Sequence, residues 1–177
     1  MSLEVSKLRA TAHPIRLRML SLLTGAAMSA AELARELDIS HANASYHLRA
    51  LAAAGVVEEA GEETIRGGVA KRYRYRHTVE KKTAQEVQED LEGKYLVWLT
   101  VAHELIRRAE KEVWGNSMLC DAELWVEPEV WDRALQLARE ASTVLHENAK
   151  PPRTEGTIHV NATMGLFRMA NENGAER

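Results

Sequence analysis

Reactive chemistry is scarce in this chain of 177 residues. It holds one cysteine, Cys120, so no internal disulfide can form, and a reducing compartment fits. No apolar run reaches the ~18 residues that a membrane-spanning helix needs, so no membrane partner is expected. The N-terminus, MSLEVSKLRA, lacks the apolar stretch of a signal peptide, and a cytoplasmic location is the expectation. No nucleophile elbow, phosphate loop or paired-metal pattern occurs, so no enzyme and no catalytic residue is expected. Metal ligands are equally sparse. His103 and Glu104 are adjacent, hence on different faces of any helix, and His146 and His159 have no companion at ligand spacing. Neither a metal nor another cofactor is expected.

Charge of one sign is also lacking, with a net of −3 overall, which is unusual for a nucleic-acid binder. The halves differ, however. Residues 1–80 hold 11 Lys+Arg against 9 Asp+Glu, and residues 81–177 hold 12 against 17. A mildly positive first part can meet a polyanion while an acidic second part points away.

What is present is a helix built to be read from outside, ISHANASYHLRALAAAGVV, beginning at Ile39. Ser40 can cap its first turn, and Gly55 can close it in a left-handed conformation. Ala44, Leu48 and Leu51 form one narrow apolar stripe at helical spacing. His41, Asn43, Ser45, Tyr46, His47 and Arg49 supply small or hydrogen-bonding groups suited to a major groove. Before it, Ser29-Ala30-Ala31-Glu32 is a capping box opening a second helix, with Leu33 and Leu37 on its apolar side. Asp38-Ile39 is a short turn, so the pair reads as a helix-turn-helix. After Gly55 the pattern changes to period two. Val56-Val57 begins a strand, Gly67-Gly68 marks a tip, and Val69 to Arg76 returns. That hairpin is a wing, with Arg66, Lys71, Arg72, Arg74 and Arg76 suited to phosphates.

HPIRLRMLSLL, then SAAELARELDIS, then HANASYHLRALAAAGVV and a basic hairpin resemble the ArsR-type winged-helix regulators of prokaryotes. The positions that carry the resemblance include His13-Pro14, Arg16-Leu17-Arg18, Glu32-Leu33-Ala34, Ser40, Ser45, His47-Leu48, Leu51, Gly55 and Val57, over residues 5–77. The resemblance implies a dimeric DNA-binding repressor, commonly released by an effector. Relatives that sense metals carry a Cys pair where this chain has Glu32-Leu33-Ala34-Arg35-Glu36, which removes that mode of sensing.

Elsewhere, Leu3 to Ala12 and Ile15 to Leu23 read as helices, the second opened by Pro14. Arg16 and Arg18 either touch DNA backbone or solvate an exposed face. Residues 81–114 read as one long helix of ~50 Å. Leu91, Trp98, Ala102 and Leu105 lie on its apolar stripe, and a second subunit's helix is the natural cover, although packing on its own C-terminal part is compatible. Ala122 to Val126 reads as a strand, Pro128 to Asn148 as a helix, Lys150 to Arg153 as a linker, and Thr157 to Met169 as a second strand. Trp98, Trp125 and Trp131 either line a pocket for a small-molecule effector or serve as core.

The expected fold is α+β, mainly α: a winged helix-turn-helix (1–79), a dimerisation and effector region of long helix then strand-helix-strand (80–170), and a frayed tail (171–177). The expected function is a homodimeric, sequence-specific binder of double-stranded DNA, a repressor on an inverted repeat. Its DNA contacts are Ser40, His41, Asn43, Ala44, Ser45, Tyr46, His47, Arg49, Arg66, Lys71, Arg72 and Arg74. Tyr46 and His47 can alternatively pack inside the domain. The competing expectation is a protein-interaction module that binds through its acidic half.

Overall fold

The computed structural model describes residues 3–65, 68–76, 91–113, 115 and 117–169. It is mixed: about half helix, with a small antiparallel sheet of three strands. Helix α1 spans Leu3–Thr11 and α2 spans Pro14–Gly25. Pro14 at the start of α2 gives up no hydrogen bond there, and the His13 ring accepts from the Ile15 amide at 3.2 Å. Helix α3, Ala30–Leu37, starts on the expected capping box. The Ser29 amide donates to Glu32 at 2.7 Å, and the Glu32 amide donates back to Ser29 Oγ at 3.4 Å. It stops at Asp38, which takes a left-handed conformation (φ 53°). Helix α4, His41–Ala53, is capped by Ser40, which accepts from the Asn43 amide at 3.2 Å. Gly55 follows with φ +66°, a conformation that favours glycine.

The sheet comprises β1 (Met28–Ser29), β2 (Glu58–Ile65) and β3 (Gly68–Arg74), in the order β1-β3-β2. Strand β1 has no signal in the sequence. Two residues carry no periodicity, and only their pairing with Tyr73 and Arg72 makes them a strand. In the hairpin, Glu59 faces Tyr73 and Glu62 faces Lys71, so β2 has one residue more than its partner between those rungs. Gly61, at φ +119°, sits in this bulge. Beyond β3, the Tyr75 amide donates to the Leu23 carbonyl at 3.1 Å and ties the strand's end to α2.

The core lies between α2, α3 and α4. Met19, Leu23, Leu33, Ala44, Leu48 and Leu51 are buried there with Met28 and Val57. The stripe expected on the recognition helix is thus the buried one.

Two further helices follow, α5 (Leu91–Ala109) and α6 (Pro128–Glu147). The long helix expected over 81–114 is described only from Leu91, its first ten residues lying outside the described ones. It ends at Ala109, where tighter turns close as Lys111 donates to Arg108 and Glu112 to Ala109. Helix α5 packs on α1 and α2. The strands expected at 122–126 and 157–169 do not form: neither belongs to a sheet among the described residues. Alternating side chains suit a strand, but a strand exists only when a neighbour accepts its backbone hydrogen bonds. The tail at 171–177 falls outside the described residues.

Candidate nucleic-acid interface

The interface is built on the outer side of α4. With Ala44, Leu48 and Leu51 turned inward, the 3.6-residue repeat places His41, Tyr46 and Arg49 outside, with Asn43 and Ser45 half-buried beside them. Tyr46 is 61% exposed, a large aromatic held at the surface. A shallow groove of about 300 Å³ runs between this face and the hairpin. Its lining includes His41, Ser45 and Arg49 from α4, Ala30 and Ala31 from α3, and Val69 and Lys71 from β3.

Two expected DNA contacts are corrected. Ala44 has no exposed surface, because it belongs to the core stripe. His47 is 5% exposed and lies against His13, ring centroids 4.4 Å apart, with Tyr46 edge-on at 5.2 Å. The packing alternative holds for His47 and fails for Tyr46. Ser40, at the helix start, remains exposed.

The His13–His47 pair has an electrostatic consequence. Burial lowers both pKa values, and Arg16 nearby lowers them further. Among the described residues His47 Nδ1 is buried with no hydrogen-bond partner, so a proton added there would have no acceptor among them. A folded-state pKa below the ordinary 6.5 means that the unfolded chain binds protons first as pH falls. Stability is therefore full above 6.5 and declines below it, down to the lowered native values. Thermal unfolding followed from pH 7.5 to 5.5 should show the midpoint falling, and the slope should be shallower in His47→Gln. An equal slope in both proteins would show that protonation of His47 does not contribute to the loss of stability.

The hairpin's cations are less free than their number implies. Strand β2 carries Glu58, Glu59, Glu62 and Glu63 opposite them. Lys71 bonds Glu59 at 2.8 Å, which raises its pKa, and Arg76 bonds Glu58 at 2.6 Å. Arg72 is engaged most of all. It pairs with Glu63, reaches Glu32 at 3.1 Å, and donates to the Ala27 carbonyl. It therefore braces the hairpin against the start of α3. Burial pushes the Glu32 carboxyl up, but hydrogen bonds from Ser29 and the Arg72 charge outweigh this and hold it below the usual range. Arg49 and Arg74 are exposed, and Arg66 lies outside the described residues. The acidic partners are legible in the sequence as a run of Glu facing a run of Lys and Arg across one turn.

The largest feature that sequence reasoning missed lies behind the interface. Glu104 of α5 is 1% exposed. Arg18 of α2 grips it with both Nε (3.0 Å) and Nη2 (2.9 Å), Arg107 bonds it at 2.7 Å, and Arg108 stands at 4.0 Å. Arg18 therefore neither solvates a face nor meets DNA backbone. It clamps the helix-turn-helix unit to α5. Arg107 and Arg108 follow Glu104 at i+3 and i+4, a local signal, but Arg18 is 86 residues distant.

Of the expected dimer residues, Trp98, Ala102 and Leu105 are exposed, because α5 turns Val97, Val101 and Glu104 toward the domain instead. The side chain of Leu91 is outside the described ones. The three tryptophans considered for a ligand pocket are not brought together. Trp98 packs edge-on to Phe167 at 5.4 Å, Trp125 is 88% exposed, and Trp131 is half-buried on α6. No group of three or more His, Cys, Asp or Glu able to hold a metal occurs among the described residues. No helix of the described residues is long and apolar enough to cross a membrane.

Against known proteins, a family model described as a helix-turn-helix domain matches residues 11–60, less than a third of the chain. That span takes in α2, α3, α4 and the start of β2, and it supports a DNA-binding regulator. No curated protein matches the chain.

Proposed function

We propose that this chain is a sequence-specific transcriptional regulator of the ArsR type, cytoplasmic and non-enzymatic, that binds double-stranded DNA as a homodimer and represses from an inverted-repeat operator. The observation that carries this reading is the outer side of α4, where His41, Ser45 and Arg49 line the hairpin groove and exposed Tyr46 and half-buried Asn43 lie farther round the same helix. A short polar helix flanked by a hairpin fits a major groove with the hairpin as a wing on the adjoining backbone. The ArsR-like residues continue past the matched segment to the hairpin, which supports the finer family reading.

Roles divide by position. His41, Asn43, Ser45 and Tyr46 face base edges, Asn43 being suited to the paired bonds of adenine. Ser40, Arg49, Lys71 and Arg74 face phosphates, and Arg66, outside the described residues, is assigned to phosphate from its place in the sequence alone. Arg72 acts through its brace, since reaching a phosphate would break contacts with Glu32 and Glu63. With three of the hairpin's cations already paired to Glu, the salt dependence should be gentler than five free cations would give.

Selection of bound sequences from random duplex DNA at two salt concentrations tests the proposal. Enrichment of a two-fold symmetric site is the expected result. Asn43→Ala should cost about 1–3 kcal/mol of discrimination at one base pair while leaving other positions unchanged. Arg74→Ala should weaken all sequences alike and reduce the salt slope by about one. The same uniform loss from both variants would refute this division of roles. A flat, salt-insensitive response to DNA would favour a protein-binding module instead.

A further inference from the structure

Of the two arginines in the first half of α2, only Arg18 has an anion beside it. Arg16 is half-buried in the seam where α1, α2 and α4 meet, and among the described residues no carboxylate pairs with it. Its Nη2 donates to the Arg9 carbonyl at 3.1 Å, a bond at the surface, while its Nε is buried with no acceptor among the described residues. Burial presses its pKa down, and the neighbouring Tyr46 hydroxyl works the other way. His13 and His47 stand close by, and they carry positive charge or none, so neither offsets the guanidinium. The other cations near the interface differ: Lys71 bonds Glu59, Arg72 bonds Glu32, Arg76 bonds Glu58, and Arg18 bonds Glu104. A guanidinium drawn partly out of water without an acid has lost hydration that nothing in the seam returns. Such a group calls for an acceptor that arrives from outside.

The position of the seam says which acceptor. Successive residues of α4 turn by about 100°. His41, Ser45 and Arg49 therefore share the flank that faces the hairpin, and Tyr46 lies farther round. The ring contacts of Tyr46 with His47, and of His47 with His13, show that the start of α2 stands on that other flank. A helix about 10–12 Å across fills a major groove about 12 Å wide, so a row of phosphates runs along each side of it. The hairpin adjoins one row. Arg16 is on the side of the other.

We propose that Arg16 grips a DNA phosphate on the wall of the major groove opposite the wing, so that α4 is held from both sides. This deepens the DNA-binding part of the proposed function and rests on it. The phosphate would meet the surface end of the guanidinium and give it the counter-charge it lacks. Contacts to both rows fix the depth and tilt of the helix without reading sequence.

The test uses the full chain, the duplex chosen by selection, and two variants that remove the charge, Arg16→Met and Arg16→Gln, the second serving if the first does not fold. Each phosphate of a half-site is replaced in turn by a neutral methylphosphonate. Loss of Arg16 should weaken all duplexes alike by about tenfold per bound subunit, the worth of a charge-assisted hydrogen bond, and lower the salt slope by about one. One phosphonate position, on the side away from the wing, should cost wild type as much and cost the variant nothing. The unfolding midpoint of Arg16→Met should equal or exceed that of wild type, since an apolar stem in the seam has no charge to desolvate. A fall in midpoint and affinity together, with the salt slope unchanged and every phosphonate costing both proteins equally, would make Arg16 a structural residue and overturn the inference. Weaker binding coupled to no phosphonate position, the result if a free phosphate ion fills the seam instead, would overturn it as well. Wild type that selects no site would overturn the proposed function and this inference with it. Wild type that selects a site and responds to Arg74→Ala but not to loss of Arg16 would overturn this inference alone.

Discussion

Replacing Glu104 with Ala lowers the unfolding free energy by about 3 kcal/mol, toward the low end of what unpairing a buried charge costs. The low end applies because the guanidiniums left behind are not sealed from water: Arg18, Arg107 and Arg108 remain 27–33% exposed. The loss arises because, among the described residues, Glu104 is the one acidic group among three cations, and its removal leaves them repelling one another across the seam between α2 and α5. Glu104→Gln separates charge from shape, since the amide retains the volume and one acceptor oxygen but carries no charge. Burial raises the Glu104 carboxyl pKa, yet hydrogen bonds and charge from Arg18 and Arg107 prevail and hold it below its ordinary 4.5. A depressed native pKa gives stability that is full above 4.5 and is lost as pH falls through the native value. The gap between wild type and Glu104→Gln should therefore be constant near neutrality and shrink in acid. Urea unfolding of the three proteins at pH 7 and below pH 4.5 checks this. A gap under 1 kcal/mol at pH 7, or one indifferent to acid, would show the cluster to be held together by something other than the ion pairs.

A second substitution separates stability from recognition. His41 opens α4 and lines the groove beside the hairpin. A carboxylate at a helix's first position interacts well with its positive end, so His41→Glu should leave the fold as stable or raise it by about 0.3–1 kcal/mol. The same carboxylate would face the phosphate-lined groove of a bound duplex. Affinity for the selected operator should drop about 100-fold, equivalent to about 2.8 kcal/mol. Melting curves and fluorescence anisotropy on one preparation give both numbers. Unchanged affinity together with unchanged stability would place the DNA surface somewhere other than α4.

Local features of this chain are legible in its sequence. Ser29 with Glu32, Ser40 with the Asn43 amide, Pro14 at a helix start and Gly55 past a helix end all act within four residues, and each stands where local pattern puts it. The inward stripe of Ala44, Leu48 and Leu51 belongs with them, because helical periodicity alone sorts a helix into two faces. The outer face of α4, and with it most of the proposed DNA contacts, follows from that same sorting.

Features that depend on distant partners are not legible in this way. The apolar stripe of α5 predicts which side should be covered, but in the chain the covered side carries Glu104, because Arg18 waits on α2 to receive it. Arg72 reads as a phosphate ligand until Glu32, 40 residues earlier, is brought beside it. His47 reads as a contact until His13 occupies its other side. The segments 122–126 and 157–169 have the right alternation but no ladder among the described residues. Sequence alone determined the elements whose stabilising groups are neighbours along the backbone, where propensity, capping and periodicity decide. Only the tertiary structure decided which charges are paired and which faces are closed. Those outcomes depend on whether a distant group arrives to offset the desolvation of a buried charge or an orphan backbone, and no short window of sequence records that arrival.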